Sequence, residues 1–401
     1  MYRLTRLSRV AALGAVLALA ACDNNKDLLG PTTPAGGEIF RSYVALGNSI
    51  TAGFQSNGIN DSTQRQSYAK LLAGQMGTQY HYASLAGRGC TPPIANTQTG
   101  ALVGNAPAGT CDLRNASSVT DVLNNVAVPG ARVLDPTSAS TVASNALTTF
   151  ILGGKTQVAK ALDARPTFAT IWIGNNDVLQ PALSGLYQPI VSTQAQFQTS
   201  YDAMIAQLLA GAPDLKGVLI AVAQVQNLPS VSAGSILFAS PAARGAINAG
   251  TGKTVVIDAS CNGSTSLVNI PSIVLAIRAG THPPVIACAK GIYPAPVGDV
   301  YVLDPAEQVL LTGAINAYND YIKTKAAAIG FAYYDPNVLF AASRASGAIP
   351  AFPNFGSATA TFGALISLDG VHPTGAAHKL IANELIGVIN TKYGTSLQPV
   401  P

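Results

Sequence analysis

Apolar residues recur along this chain in two rhythms. Short apolar runs, rich in β-branched and aromatic residues, lie near 42–46, 124–128, 167–173, 217–223 and 331–334. Their length and composition predict buried strands. Between them, apolar positions return at helical spacing near 66–76, 155–164, 194–210, 305–328 and 375–391, which predicts amphipathic helices. Strands alternating with helices give a mostly parallel sheet covered on both faces, so the fold class expected is α/β, a three-layer α/β/α sandwich. Two stretches, about 86–120 and 226–304, exceed ordinary connection lengths and read as insertions. A third loop, 336–367, carries Phe340, Phe352, Phe355 and Phe362.

Chemistry concentrates at the ends of the predicted strands. The run Tyr43–Gly53 passes from apolar residues through Gly47 and Asn48 to Ser49, then into a short helical pattern. A hydroxyl there sits beyond the carboxyl edge of the sheet, where open α/β sheets bind ligands. Near the other end, Asp369 precedes His372 by three residues. At that spacing the carboxylate can accept from one imidazole nitrogen and leave the other free as a base. A loop histidine beside a surface aspartate would show the same pattern, but the chain has only four histidines. The strand 167–173 ends in Gly174-Asn175-Asn176-Asp177, and the segment 125–129 ends in Gly130. An Asn amide and a glycine N–H at those ends are candidate donors to a developing oxyanion. Each could equally belong to an ordinary turn.

These four segments, in this order, resemble the blocks of the SGNH hydrolase family, also called GDSL esterases and lipases. Ser49 matches the block I nucleophile, Gly130 the block II glycine, Asn176 the block III asparagine, and Asp369 with His372 the block V pair. The resemblance covers roughly residues 40–393. It implies a flavodoxin-like sandwich and a catalytic set of Ser49, His372 and Asp369. It also implies an oxyanion hole formed by the Ser49 N–H, the Gly130 N–H and the Asn176 side chain. The family usually has Gly-Asp-Ser, and this chain has Gly47-Asn48-Ser49; asparagine keeps one acceptor oxygen but loses the charge. Because the matching blocks run from Ser49 to His372, one catalytic domain, 39–401, is expected.

The first 21 residues read as a signal peptide: Arg3, Arg6 and Arg9 precede an apolar stretch too short to span a membrane. Leu19-Ala20-Ala21-Cys22 resembles the bacterial lipoprotein processing box, which implies cleavage before Cys22 and lipidation of its thiol. Residues 22–38 then form a polar tether. The location expected is the bacterial cell envelope, lipid-anchored, with the leaflet left open. Four cysteines remain in an exported chain, and an even count suggests two disulfides. Three pairings are possible; the local one, Cys90–Cys111 and Cys261–Cys288, is expected, since each pair closes a Gly/Pro-rich stretch.

Charge narrows the partners. Charged residues make up 10% of the chain, and removing the three signal arginines lowers the formal net charge from +4 to +1. Sparse basic residues argue against a nucleic-acid partner, and a near-neutral surface favours a neutral or weakly charged substrate. The sequence has no metal-ligand spacing, and no cofactor is expected. Gly153-Gly154-Lys155-Thr156 suggests a phosphate loop only superficially, because no strand leads tightly into it. The function expected is a serine esterase or lipase acting through an acyl-enzyme, with the loop phenylalanines Phe340, Phe352, Phe355 and Phe362 lining an acyl groove. The alternatives are a carbohydrate O-acetyl esterase and a non-catalytic surface binding protein on the same scaffold.

Overall fold

The computed structural model describes residues 36–113, 122–138, 146–185 and 192–401. The expected signal peptide and Cys22 lie outside these. Four parallel strands form the central sheet in the order Tyr43–Gly47, Phe168–Trp172, Lys216–Ile220 and Ala332–Tyr334. Every residue of the first two strands is buried. That burial explains their unbroken apolar pattern, because a parallel sheet is covered on both faces. Alternate side chains divide between two cores. Val44, Leu46, Ala169 and Ile171 join Phe197, Tyr201, Ile315 and Ile322 from helices Gln194–Gly211 and Pro305–Ile329. Tyr43, Ala45, Phe168 and Trp172 join Leu72, Met76, Ile381 and Leu385 from helices Tyr68–Met76 and Gly375–Tyr393. The three-layer α/β/α sandwich therefore follows from period-two alternation on strands and the 3.6-residue period on helices.

The long helices begin and end on residues suited to those places. Asp304 and Glu307 form a capping box ahead of Pro305–Ile329, with Pro305 in the first turn and Gly330 left-handed at the end. Thr374 caps Gly375–Tyr393 by accepting from Ala377 N.

The segment 124–128 departs from the expected strand. It runs along the first strand, with Ala45 N donating to Asn124 O at 2.8 Å and Val126 N to Ala45 O at 3.0 Å. Val128 N donates on to Gly47 O at 3.2 Å, and the segment is held by isolated parallel bridges, Ala45 to Asn125 and Tyr82 to Asn125. The two asparagine side chains take up neighbouring backbone donors: Asn124 Oδ1 accepts from His81 N, and Asn125 Oδ1 accepts from Ala127 N.

The stretch 226–304 is more than a loop. It contains a three-stranded antiparallel sheet, a parallel pair of short strands and helices Gly234–Ala239, Pro241–Thr251 and Ile270–Ala279. Leu237, Ile247, Val268, Ile273 and Ile277 give it a core of its own. Cys261–Cys288 closes it, and Cys90–Cys111 closes the earlier insertion, the pairing expected. No helix among the described residues is long and apolar enough to cross a membrane.

Candidate active site

Ser49 opens a single helical turn, Ser49–Ala52, directly after the first strand. Gly47 makes the approach possible, since a Cβ there would lie 2.6 Å from the Trp172 carbonyl oxygen on the next strand. Asn48 is fully buried and caps the turn by accepting from Ile50 N at 3.1 Å. Its amide donates to Asn175 Oδ1 at 3.4 Å. An asparagine therefore does at this position what an aspartate would do as a cap, and it adds a donor.

The turn 367–373 brings the histidine to the serine. His372 Nε2 lies 2.8 Å from Ser49 Oγ, and His372 Nδ1 lies 2.8 Å from Asp369 Oδ2. An ionised carboxylate only accepts, so Nδ1 carries the proton and Nε2 accepts from the serine hydroxyl. Phe54 packs on the imidazole with ring centroids 4.9 Å apart. Asp369 accepts further bonds from the N–H groups of Asn57, Val371 and His372 and from the Ser367 hydroxyl. Burial alone would push its carboxyl up. The His372 charge and ring N–H, with the N–H groups of His372 and Asn57, outweigh burial and hold it down at about 2.

Asn176 and Gly130 meet on a neighbouring cleft. Asn176 Nδ2 donates to Ala131 O at 2.9 Å, fixing the side chain against the loop that carries Gly130. Asn176 also lines the cavity beside Ser49, so it stands between the two. Gly130 has φ +86°, a conformation suited to glycine. Asp177 fastens the same loop: it accepts from Val133 N at 2.9 Å and from the Ser192 hydroxyl at 2.6 Å. Its burial pushes the carboxyl up to about 6, against the pull of those bonds and of Arg132.

A narrow cavity opens beside Ser49 and His372. Its apolar walls include Ile50, Leu179, Leu228, Phe340, Ile349 and Ile366. Phe352 and Phe355 are not among them. They form an edge-to-face pair against the core of the 226–304 insertion, and Phe355 lines a separate groove. The acyl-groove expectation for these two residues is therefore corrected. Proximity to Asp369 in sequence does not fix which core a ring joins: of the four phenylalanines, Phe340 lines the cavity, and Phe362 packs with Ile349 and Ile366 without lining it. Sequence reading missed Phe54, Ser56, Asn57 and Ser367. Ser56-Asn57-Gly58 carries a turn signature, but its partner lies about three hundred residues away.

The parallel sandwich with a Ser–His–Asp hydrogen-bond chain at its sheet edge defines a class of hydrolase-like α/β proteins. A family model described as GDSL-like lipase/acylhydrolase matches residues 43–385, so the chain belongs to that family and is a carboxylic ester hydrolase. Among solved structures it is similar to a family two carbohydrate esterase from Clostridium thermocellum in complex with cellohexaose, at 11% identity and TM-score 0.37. That match covers 91% of this chain and 66% of the esterase, so the chain spans about two thirds of the esterase's length. It is also similar to an extracellular lipase from Streptomyces rimosus, at 15% identity, TM-score 0.35 and coverage of 88% and 99%. A phospholipase A1 from Streptomyces albidoflavus matches at 15% identity, TM-score 0.31 and coverage of 88% and 98%. No curated protein matches the sequence.

Proposed function

We propose that this protein is a serine esterase of carboxylic esters with an apolar acyl chain, working through Ser49, His372 and Asp369. The observation that carries the reading is the pair of 2.8 Å contacts, Ser49 to His372 and His372 to Asp369, in the wall of an apolar cavity. Ser49 Oγ attacks the ester carbonyl while His372 Nε2 takes its proton. Asp369, held at about 2, stays ionised at working pH and stabilises the imidazolium. The N–H groups of Ser49 and Gly130 and the Asn176 amide receive the oxyanion. His372 returns the proton to the departing alcohol, leaving an acyl-Ser49. Water activated by the same imidazole then releases the acid and restores the serine.

The acyl chain would lie against Leu179, Phe340, Ile349 and Ile366. The test is a panel of esters of one alcohol and graded acyl length, run with a fluorophosphonate label on the wild type and Ser49→Ala. Rates rising from acetyl to medium chains, with label lost in Ser49→Ala, are expected. A steep fall beyond acetyl would favour a carbohydrate O-acetyl esterase instead. Absence of labelling in folded wild-type protein would favour a binding protein on this scaffold.

The two disulfides support an oxidising compartment. With the signal-like N-terminus, they support export and anchoring through a lipid on Cys22. Cys22→Ser is expected to move the protein from the membrane fraction to the soluble one; an unchanged distribution would remove the anchor from the proposal.

A further inference from the structure

The turn that follows the nucleophile helix is bonded directly to the turn that carries the histidine. Gln55 and Gly58 pair as a two-residue hairpin, with Ser56 and Asn57 both left-handed at φ +55° and +58°. Neither is glycine, so the conformation is mildly strained and must be held by its contacts. Three of those contacts reach residues 367–369. Ser56 N donates to Ser367 Oγ at 2.8 Å, Leu368 N donates to Ser56 Oγ at 3.2 Å, and Asn57 N donates to Asp369 Oδ2 at 2.8 Å. From the other side, the Cys90–Cys111 insertion grips the same hairpin. Ile94 N donates to Ser56 O at 2.7 Å, and the Thr91 hydroxyl donates to Asn57 O at 2.9 Å.

Ser367 is the junction. It is buried, and its hydroxyl lies 3.1 Å from Asp369 Oδ1. The directions of its bonds are fixed by chemistry. The Ser56 N–H can only donate and the ionised carboxylate can only accept, so the hydroxyl accepts from the first and donates to the second. Ser367 N also donates to His372 O at 2.8 Å, which closes the turn around the carboxylate.

We propose that Ser367, held by the Ser56–Asn57 hairpin, is a positioning residue that fixes Asp369 against His372 and sets the strength of that pair. The inference rests on the proposed roles of Ser49, His372 and Asp369. Ser367 does not line the cavity, so it acts through Asp369 and not through substrate. Among the described residues, the ionisable groups facing His372 are Asp369 on its own turn and His378 on the following helix. His378 is driven down to about 3 by burial, and then by the His372 charge, so it is neutral at assay pH. Ser49, Phe54 and the Ser56–Asn57 hairpin bring no charge. Loss of the Ser367 donor leaves Asp369 more basic and strengthens its hold on the imidazolium. The acid limb of the kcat/KM profile then moves to higher pH.

The experiment compares wild type with Ser367→Ala, Ser367→Thr and Ser56→Ala. Turnover is normalised to sites titrated with fluorophosphonate, and Tm is measured alongside. For Ser367→Ala, kcat should fall roughly 10-fold, the scale of one hydrogen bond to a charged group, with KM unchanged. Its acid limb should move up, and Ser367→Thr, which keeps the hydroxyl, should restore both. Ser56→Ala should shift the limb in the same direction by less, and it decides the matter if Ser367→Ala does not fold. A lower Tm with unchanged kcat per titrated site and an unmoved limb would make Ser367 merely structural and overturn the inference. Wild-type protein that takes no label would instead remove the underlying reading of Ser49.

Discussion

Asp369 and Asp177 are both largely withdrawn from water, yet their carboxyls move in opposite directions. Asp369 is held at about 2 and Asp177 is pushed up to about 6. Burial raises both, so the difference lies in what faces them. Asp369 receives five donors, one of them an imidazole that gains charge. Asp177 receives bonds from Val133 N and the Ser192 hydroxyl, and the buried Asp135 opposes its ionisation. The comparison separates two halves of the site. One half is built to hold a charge and to stabilise a second; the other uses a carboxylate as a fastener for the loop that carries Gly130.

Replacing each aspartate by asparagine should break the symmetry most sharply. Asp369→Asn keeps the shape but lets the imidazole settle in the wrong tautomer, with a loss in kcat of about 10⁴, as for other serine triads. Asp177→Asn keeps an acceptor for Val133 N and should cost under about 10-fold, the scale of one weakened hydrogen bond. Steady-state kcat on a single ester checks both. Equal losses would mean that Asp177 also touches the reaction.

The next largest effect tests the oxyanion half alone. Asn176→Ala should lower kcat by about 10² to 10³ through loss of one oxyanion donor. Because Asn176 also holds Ala131 O, part of that loss would come from loop displacement. Gly130→Ala keeps the Asn176 amide but strains a backbone at φ +86°, so it reports what displacing the loop together with its Gly130 N–H costs. If Asn176→Ala labels and turns over like wild type, the oxyanion is held elsewhere.

These residues were legible in the sequence to very different degrees. The four sheet strands and the helices near 66–76, 194–210, 305–328 and 375–391 were readable because their periodicity is strong and both cores use it. Helix Pro336–Ala345 lies in the stretch expected as loop: its Leu339 and Phe340 pack on the core only partly buried, and Val338 faces solvent, so its apolar positions are split between inside and outside. Ser49, Asp369 and His372 stood out because each occupies a short local pattern. Ser367, Asn57 and Phe54 did not, because their meaning depends on contacts between segments more than three hundred residues apart. The same limit misplaced Phe352 and Phe355, whose local setting could not say which core would take them.

Stability against pH gives the smallest and most discriminating test of the two aspartates. The Asp369 carboxyl is depressed on folding, so it contributes stability above its unfolded value near 3.8, and this is lost as pH falls toward 2. The shift corresponds to about 2 kcal/mol. The Asp177 carboxyl is raised, so folding favours its protonated form. That contribution is full below about 3.8 and is lost as pH rises through 6, amounting to about 3 kcal/mol. The Tm of wild type relative to Asp369→Asn should therefore fall as pH drops from 4 to 2. Relative to Asp177→Asn it should fall as pH rises from 4 to 6. Asparagine does not titrate in either range, so each variant isolates one carboxyl. Parallel curves would mean that the two environments are electrostatically alike, and that the division between a charge-holding half and a fastening half does not exist.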